Sequence, residues 1–541
     1  MPRNAPIEGL AERVRGLSGW RSRAAALLAG AASALAMAPF FLSPLLWITL
    51  PVLVWLLDGA ARRHGAEGRL RRLAVAAETG WWWGFGYFLA GLYWIGEAFL
   101  VEAEVFALLM PVAVVLMPAG LALFYAAAAA AAAPLWKSGI WRVVALALSL
   151  SAAEWLRGHV LSGFPWNVLG YVLTYPPELM QSAAVLGIYG LTLAAVLVFG
   201  LPAILWTESE RRDRGRWMAV AVALLPLVCA GMLGRVRLAT ATADTLPGVK
   251  IRVVQPSVPQ REKWQPEHWA RFFKDHLDLS ARNPDGAVDS LAGVTHVVWP
   301  EAAMPFPPLD HPEALAAIGA LLPDGTVLIA GAVRIERPPA GTGGPVRFFN
   351  SLLVFGKGGL LLALYDKVRL VPFGEFLPLR RLLSAIGLRE IASREGFSSG
   401  VSPRPLLDIP GLPAAVPLIC YEAIFPAAVV QGRERPALIL NVTNDGWFGN
   451  TTGPRQHLHQ ARVRAVEEGL PLIRAANNGV SAAFDAYGRQ LAQLDMNVRG
   501  TFDVALPVAL QPPPYARLGD VVFLAVWFFG VTLVGCVVWR Q

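Results

Sequence analysis

Long apolar runs alternate with short polar segments through residues 1–235, give way to a different pattern, and return at the C-terminus. The runs at 23–38, 40–57, 73–99, 105–134, 141–157, 183–206 and 217–234 predict seven membrane-crossing helices. Such a helix needs about 20 mostly apolar residues. An eighth run covers 519–539. Between 248 and 510 the apolar runs shorten, become β-branched and end at Pro, Gly or Asp. Runs at 249–254, 296–299, 326–333, 348–355, 416–420 and 438–442 predict strands, and 262–283, 312–322 and 454–468 predict amphipathic helices. Strands alternating with helices imply a layered α/β domain. The expected organisation is therefore a membrane domain at 1–235, a folded domain at 248–510 and a last span at 519–539.

Composition supports that division. Hydrophobic residues make up 55% of the chain and charged residues 16%, against about 25% charge in a typical soluble domain. A plain soluble enzyme, a coiled coil and a disordered chain all fit poorly. The net charge of +8 does not imply nucleic acid, because the basic residues mark loops between apolar runs. Arg13, Arg15, Arg21 and Arg23 precede the first run, and Arg62, Arg63, Arg69, Arg71 and Arg72 follow the second. Lys137 and Arg142 follow the fourth, and Arg211, Arg212, Arg214 and Arg216 follow the sixth. The opposite short loops offer only Arg157, near the end of a run. Cytoplasmic loops carry the Lys and Arg excess, so the N-terminus is expected in the cytoplasm and the 248–510 domain outside.

Of three cysteines, Cys229 and Cys536 lie in apolar runs and Cys420 stands alone in the polar part. No disulfide framework and no Cys-based zinc site is expected. Rare polar residues fall where strands should end: Glu301 after Val297-Val298-Trp299-Pro300, Lys367 and Glu375 within Tyr365–Glu375, and Cys420 followed by Tyr421 and Glu422. Singly, these read as a helix-end charge, a solvated lysine and a small core residue. Together they supply a nucleophilic thiol, a carboxylate to take its proton and a cation for an anionic tetrahedral intermediate. No His lies near Cys420 in sequence, so spacing does not suggest a Cys–His pair. His457 and His459, two apart on an expected helix, point in different directions, so no metal site is expected there. Gly341-Thr342-Gly343-Gly344 follows Pro-Pro-Ala and reads as a hairpin loop, not a phosphate cradle.

Glu301, Lys367 and Cys420 in the contexts WPE, YDK…PFGE and CYE resemble the nitrilase (carbon–nitrogen hydrolase) superfamily, whose fold is an αββα sandwich. With seven apolar runs before the domain and one after it, the whole chain resembles the bacterial apolipoprotein N-acyltransferase family. Leu440–Gly449, Gly453–His457 and Arg474–Gly479 extend the likeness. Thr443 stands where the family commonly has Ser, and Leu470 where it commonly has Arg. The resemblance implies a ping-pong acyl transfer. Cys420 takes the sn-1 acyl chain of a phospholipid, typically phosphatidylethanolamine, and passes it to the α-amino group of a diacylglyceryl-cysteine at a lipoprotein N-terminus. It implies Glu301 as base, Lys367 as oxyanion partner, and Trp264, Asn350, Glu375, Tyr421 and Glu422 as supporting residues. No cofactor and no metal is implied, the membrane and two lipid substrates are the partners, and a monomer in the inner membrane is expected. The stretch 376–391, with Leu, Ile and Phe among Arg380, Arg381 and Arg389, reads as an arm dipping into lipid headgroups. A membrane-tethered amidase would use the same three residues; the apolar spans, needless for a soluble substrate, separate the two readings.

Overall fold

A computed structural model describes residues 5–64, 68–137, 139–206, 214–283, 286, 291–339, 341, 343–385, 390 and 396–539. The chain forms two compact units, one of Met1–Gly96, Leu108–Thr240 and Pro513–Gln541, the other of Glu97–Ala107 and Ala241–Pro512.

In the first unit a helix overlies each expected span. These are α1 (Gly19–Ser33), α2 (Leu46–His64), α3 (Arg69–Leu92), α4 (Met110–Ala132), α5 (Trp141–His159), α6 (Ala183–Gly200), α7 (Arg214–Ala239) and a last helix, Val521–Trp539. Among the described residues only Ser43–His64, Ala103–Leu135 and Ala183–Ile204 are long and apolar enough to cross a bilayer, so the expected count of eight spans is not reproduced. The shortfall has physical causes in the helices themselves. α1 runs only 15 residues, and α5 carries Arg142, Glu154 and Arg157. Those charges are compensated internally: Arg157 pairs with Glu154, Tyr125 donates to Glu154, and Arg142 lies 3.3 Å from Asp58. Small residues bring α1 and α3 into backbone contact, since a Cβ on Gly86 would lie 2.0 Å from the Leu27 carbonyl oxygen. Apolar solvent gives helices little reason to associate, so such close approach supplies the van der Waals contact that does.

The second unit holds two sheets. One has the order β11-β1-β2-β3-β4-β5, with β1 (Thr245–Gln255), β2 (His296–Val298), β3 (Val327–Glu336), β4 (Arg347–Phe355), β5 (Leu361–Asp366) and β11 (Gly500–Pro507). The other has the order β10-β9-β8-β7-β6, with β6 (Ala415–Ile419), β7 (Leu438–Thr443), β8 (Leu472–Ala476), β9 (Ser481–Phe484) and β10 (Gln490–Leu494). Alternation along each strand sorts the side chains between faces. Val253, Val298, Ile329 and Leu352 of the first sheet meet Ile419, Leu440, Val442 and Ile473 of the second in one core. On the first sheet's other face, Val297, Leu328 and Leu353 pack with Leu279 of α9 (Pro266–Ser280) and Ile318 of α10 (Pro312–Leu321). On the second sheet's other face, Leu418, Ile439 and Leu472 pack with Ala461 and Ala465 of α11 (Gly453–Glu468). Helix, sheet, sheet, helix is the αββα sandwich that the sequence resemblance implied. β3 and β4 pair antiparallel, which makes the glycine-rich segment between them a hairpin connection. Of the arm expected at 376–391, Arg380–Ala385 forms a short helix, and residues 386–389 and 391 lie outside the described residues.

The α1–α3 contact yields a stability test. Gly86→Val should cost about 1–3 kcal/mol by overpacking and lower the melting temperature in detergent. Gly120→Ala, with nothing within 4 Å of its added Cβ, should leave it unchanged or slightly higher. Equal melting temperatures for Gly86→Val and wild type would contradict the close packing.

Candidate active site

β1, β2 and β3 run parallel in one sheet, and β6, β7 and β8 run parallel in the other. Residues just past their C-terminal ends converge. Glu301 follows β2 by a short turn in which Ala302 takes the left-handed φ of +47°. The turn lies against β3 so closely that a Cβ on Gly331 would meet Pro300 O at 2.4 Å and Glu301 Cα at 2.6 Å. Cys420 follows β6 with φ +50°. Lys367 follows β5, its N–H held by the Asn350 carbonyl at 2.9 Å.

Glu301 is buried, and every contact its carboxylate makes is with a donor. Oε1 accepts from Asn350 Nδ2 at 2.8 Å and from Lys367 Nζ at 3.3 Å. Oε2 accepts the Asn444 backbone N–H at 2.7 Å, a bond that ties the end of β7 to the opposite sheet. Lys367 also donates to Glu375 Oε1 at 2.9 Å, and Asn350 Nδ2 reaches the same oxygen at 2.8 Å. One amide and one ammonium thus bridge two carboxylates. Glu375 Oε2 takes the Val371 N–H at 2.8 Å, closing its own loop. Burial works against the charge on Lys367, but Glu375 and then Glu301 carry it well above its ordinary range. The Cys420 thiol is pushed up by burial first and by the Glu301 charge next, with Lys367 opposing. A buried thiol whose proton is tightly held and a carboxylate whose charge acts on it are the parts that proton transfer during nucleophilic attack would need.

Glu422 does different work. Fully buried, it accepts the Ile419 N–H at 2.8 Å and the Val368 and Arg369 N–H groups at 3.1 Å each. Tyr365 and Arg404 donate to it as well. Burial would raise its pKa, but the Arg404 charge and these hydrogen bonds hold it below the ordinary value. It fastens the lysine loop to the cysteine turn. Tyr421 is buried with its ring edge-on to Phe425 at 5.0 Å. Trp264 is half-buried at the end of the one-turn helix α8 (Gln260–Lys263); its Nε1 has no hydrogen-bond partner among the described residues.

The structure brings the expected Glu301, Lys367, Glu375 and Asn350 into one hydrogen-bonded cluster, and the burial of Cys420 registers the charges of Glu301 and Lys367. It also adds residues that sequence spacing missed. Lys263 is buried and donates to the Glu301 carbonyl at 3.0 Å; burial lowers its pKa to about 7 against the pull of Glu301 and Cys420. Its only signal was adjacency to Trp264. Sequence spacing suggested no Cys–His pair, yet the fold brings a ring nitrogen of His457 within 4.8 Å of Sγ. The His arrives because α11 runs back past the strand ends.

A buried carboxylate, ammonium and thiol at the strand ends of an αββα sandwich define a carbon–nitrogen hydrolase, and residues 250–511 match the Carbon-nitrogen hydrolase family. Residues 29–201 match the Apolipoprotein N-acyltransferase N-terminal domain. A protein named apolipoprotein N-acyltransferase from Rhodopseudomonas palustris is 46% identical over 96% of this chain and 96% of its own. Those of the same name from Bradyrhizobium diazoefficiens and Rhizobium meliloti are 48% and 47% identical. They cover 93% of this chain each, and 92% and 93% of their own. The chain belongs to the apolipoprotein N-acyltransferase family.

Two outcomes check this geometry. Gly331→Ala should displace the Glu301 turn and lower turnover by on the order of 10²-fold, and unchanged turnover would contradict the close contact. Lys263 binds a proton in the unfolded chain but not in the folded one between about pH 7 and roughly 10.4. Stability should therefore rise with pH through that window. Lys263→Met should flatten the rise in melting temperature against pH, whereas parallel profiles would contradict the burial of a neutral amine.

Proposed function

We propose that the chain transfers an acyl chain from a phospholipid to the N-terminal amine of a lipoprotein by a ping-pong route through Cys420. The observation that carries this reading is the buried thiol under the charge of Glu301, itself in contact with Lys367, in a chain of this family. In the first half-reaction Cys420 Sγ attacks the sn-1 ester carbonyl as its proton passes to Glu301. The oxyanion is stabilised by Lys367. Collapse breaks the ester C–O bond, Glu301 returns the proton to the departing glycerol oxygen, and the lysophospholipid leaves a thioester. In the second, the α-amine of the diacylglyceryl-cysteine attacks that thioester and gives a proton to Glu301. The C–S bond breaks and the proton restores the thiol. Glu375 and Asn350 hold Lys367 and Glu301 in register, Glu422 locks the two loops together, and Trp264 and Tyr421 line the site.

Both substrates carry acyl chains that water does not hold, so the reading includes a multi-pass protein of the inner membrane. The basic loops favour a cytoplasmic N-terminus, with eight crossings and the sandwich on the periplasmic side. It acts as a monomer, with phosphatidylethanolamine as donor. The N-terminal family match at residues 29–201 weighs against a tethered amidase, which has no use for a lipid-embedded domain.

Substitution tests the assignment. Cys420→Ala and Cys420→Ser should abolish transfer to a diacylglyceryl-cysteine peptide while the protein still folds. Glu301→Gln and Lys367→Ala should each cost roughly 10³-fold or more. Cys229→Ala and Cys536→Ala should be nearly silent. Near-normal transfer by Cys420→Ala would overturn the covalent route.

A further inference from the structure

Behind the thiol lies a second buried polar cluster that the two half-reactions leave unused. His457 Nε2 stands 3.1 Å from the backbone carbonyl oxygen of Cys420. Its Nδ1 lies 2.8 Å from Asp445 Oδ1 and 3.2 Å from Arg474 Nη2. Arg474 donates to Asp445 Oδ2 at 2.7 Å and also reaches Asn441, whose amide donates to the Leu418 carbonyl in the strand that leads to Cys420. Thr443 donates to Asp445 Oδ1 at 2.8 Å. His457, Asp445, Arg474, Asn441 and Thr443 are all essentially inaccessible to solvent.

The geometry points to His457 as a positioning residue for the nucleophile: its Nε2–H holds the Cys420 carbonyl and so keeps Cys420 in the backbone turn that aims Sγ at Glu301. The inference rests on the reading of Cys420 as nucleophile. Cys420 has φ +50°, a left-handed conformation that a residue with a Cβ adopts only when its surroundings over-determine it. A hydrogen bond to the carbonyl of that residue, from a ring held by Arg474 of β8 and by Asp445 just past β7, is such a constraint. The carbonyl can only accept, so Nε2 carries a proton. On the ring's other side Nδ1 faces both an acceptor, Asp445 Oδ1, and a donor, Arg474 Nη2, and neither contact competes for the Nε2 proton.

The same contacts argue against two other roles. A ring whose Nε2–H is committed to a carbonyl does not take the thiol proton, so this is not a Cys–His catalytic pair in the sense of a general base. Cys420, Asp445 and His457 place three donor atoms within 4.8 Å of one another. Asp445, however, already meets Thr443, His457 and Arg474, and Arg474 supplies the positive charge a metal ion would bring.

The test uses full-length protein in detergent, with the rate of acyl transfer from phosphatidylethanolamine to Cys420 followed by intact mass across pH. His457→Gln keeps an N–H donor and His457→Ala removes it. His457→Ala should slow acylation by on the order of 10²-fold at an unchanged KM and an unchanged pH midpoint. His457→Gln should recover to within about tenfold of wild type. Acylation at the wild-type rate by His457→Ala, or a shifted pH midpoint in either variant, would overturn the proposal. Should the alanine variant not fold, a folded glutamine variant slowed by 10²-fold or more would also overturn it. Wild-type protein that takes no acyl group on Cys420 would instead overturn the reading on which the proposal rests.

Discussion

One ammonium held between two carboxylates, all three buried, is the arrangement on which the catalytic unit depends. Lys367 donates to Glu301 and to Glu375, and the Asn350 amide reaches the same two oxygens. Removing either carboxylate from water is costly unless its oxygens are met by donors. Here the donors come from β4, the loop after β5 and the end of β7, so satisfying the charges also fixes three elements from two sheets. The cluster carries one more negative charge than positive. Burial first, and the Glu301 charge next, push up the pKa of the Cys420 thiol.

Around this cluster, other buried charges act as fasteners. Glu422 gathers backbone N–H groups from both the lysine loop and the cysteine turn, and its own charge is balanced by Arg404. Asp445 and Arg474 form a further buried pair near Cys420. Lys263 supports the Glu301 turn from its carbonyl side. Two left-handed residues without glycine's freedom, Ala302 and Cys420, sit at the points these fasteners hold. Strain of this kind persists where the surroundings leave no alternative, and it concentrates at functional sites.

Much of this was legible in the chain. Buried strands announced themselves as short β-branched runs, and polar residues placed at their ends disclosed Glu301, Lys367 and Cys420 before any coordinate. β8 was not legible, because Arg474 stands at its centre and reads as a polar break; the charge is tolerated because Asp445, just past the end of β7, and Asn441 of β7 meet it. β10 and β11, at sheet edges, mix exposed and buried positions and lack the apolar run of a central strand. Lys263 looked like a surface lysine, since a one-turn helix has no periodicity from which to read its buried side. His457 is 37 positions from Cys420, and only the return of α11 past the strand ends joins them. In the membrane unit, charges such as Glu154 and Arg157 depress the apolar signal of helices whose mutual packing neutralises them.

The covalent route can be put to a single measurement: mixing purified protein with phosphatidylethanolamine labelled in its sn-1 chain, without acceptor, followed by intact mass and peptide mapping. The account predicts a hydroxylamine-sensitive acyl group on the Cys420 peptide that is discharged by a diacylglyceryl-cysteine peptide. No adduct from any phospholipid, with ammonia released from small amides instead, would contradict it.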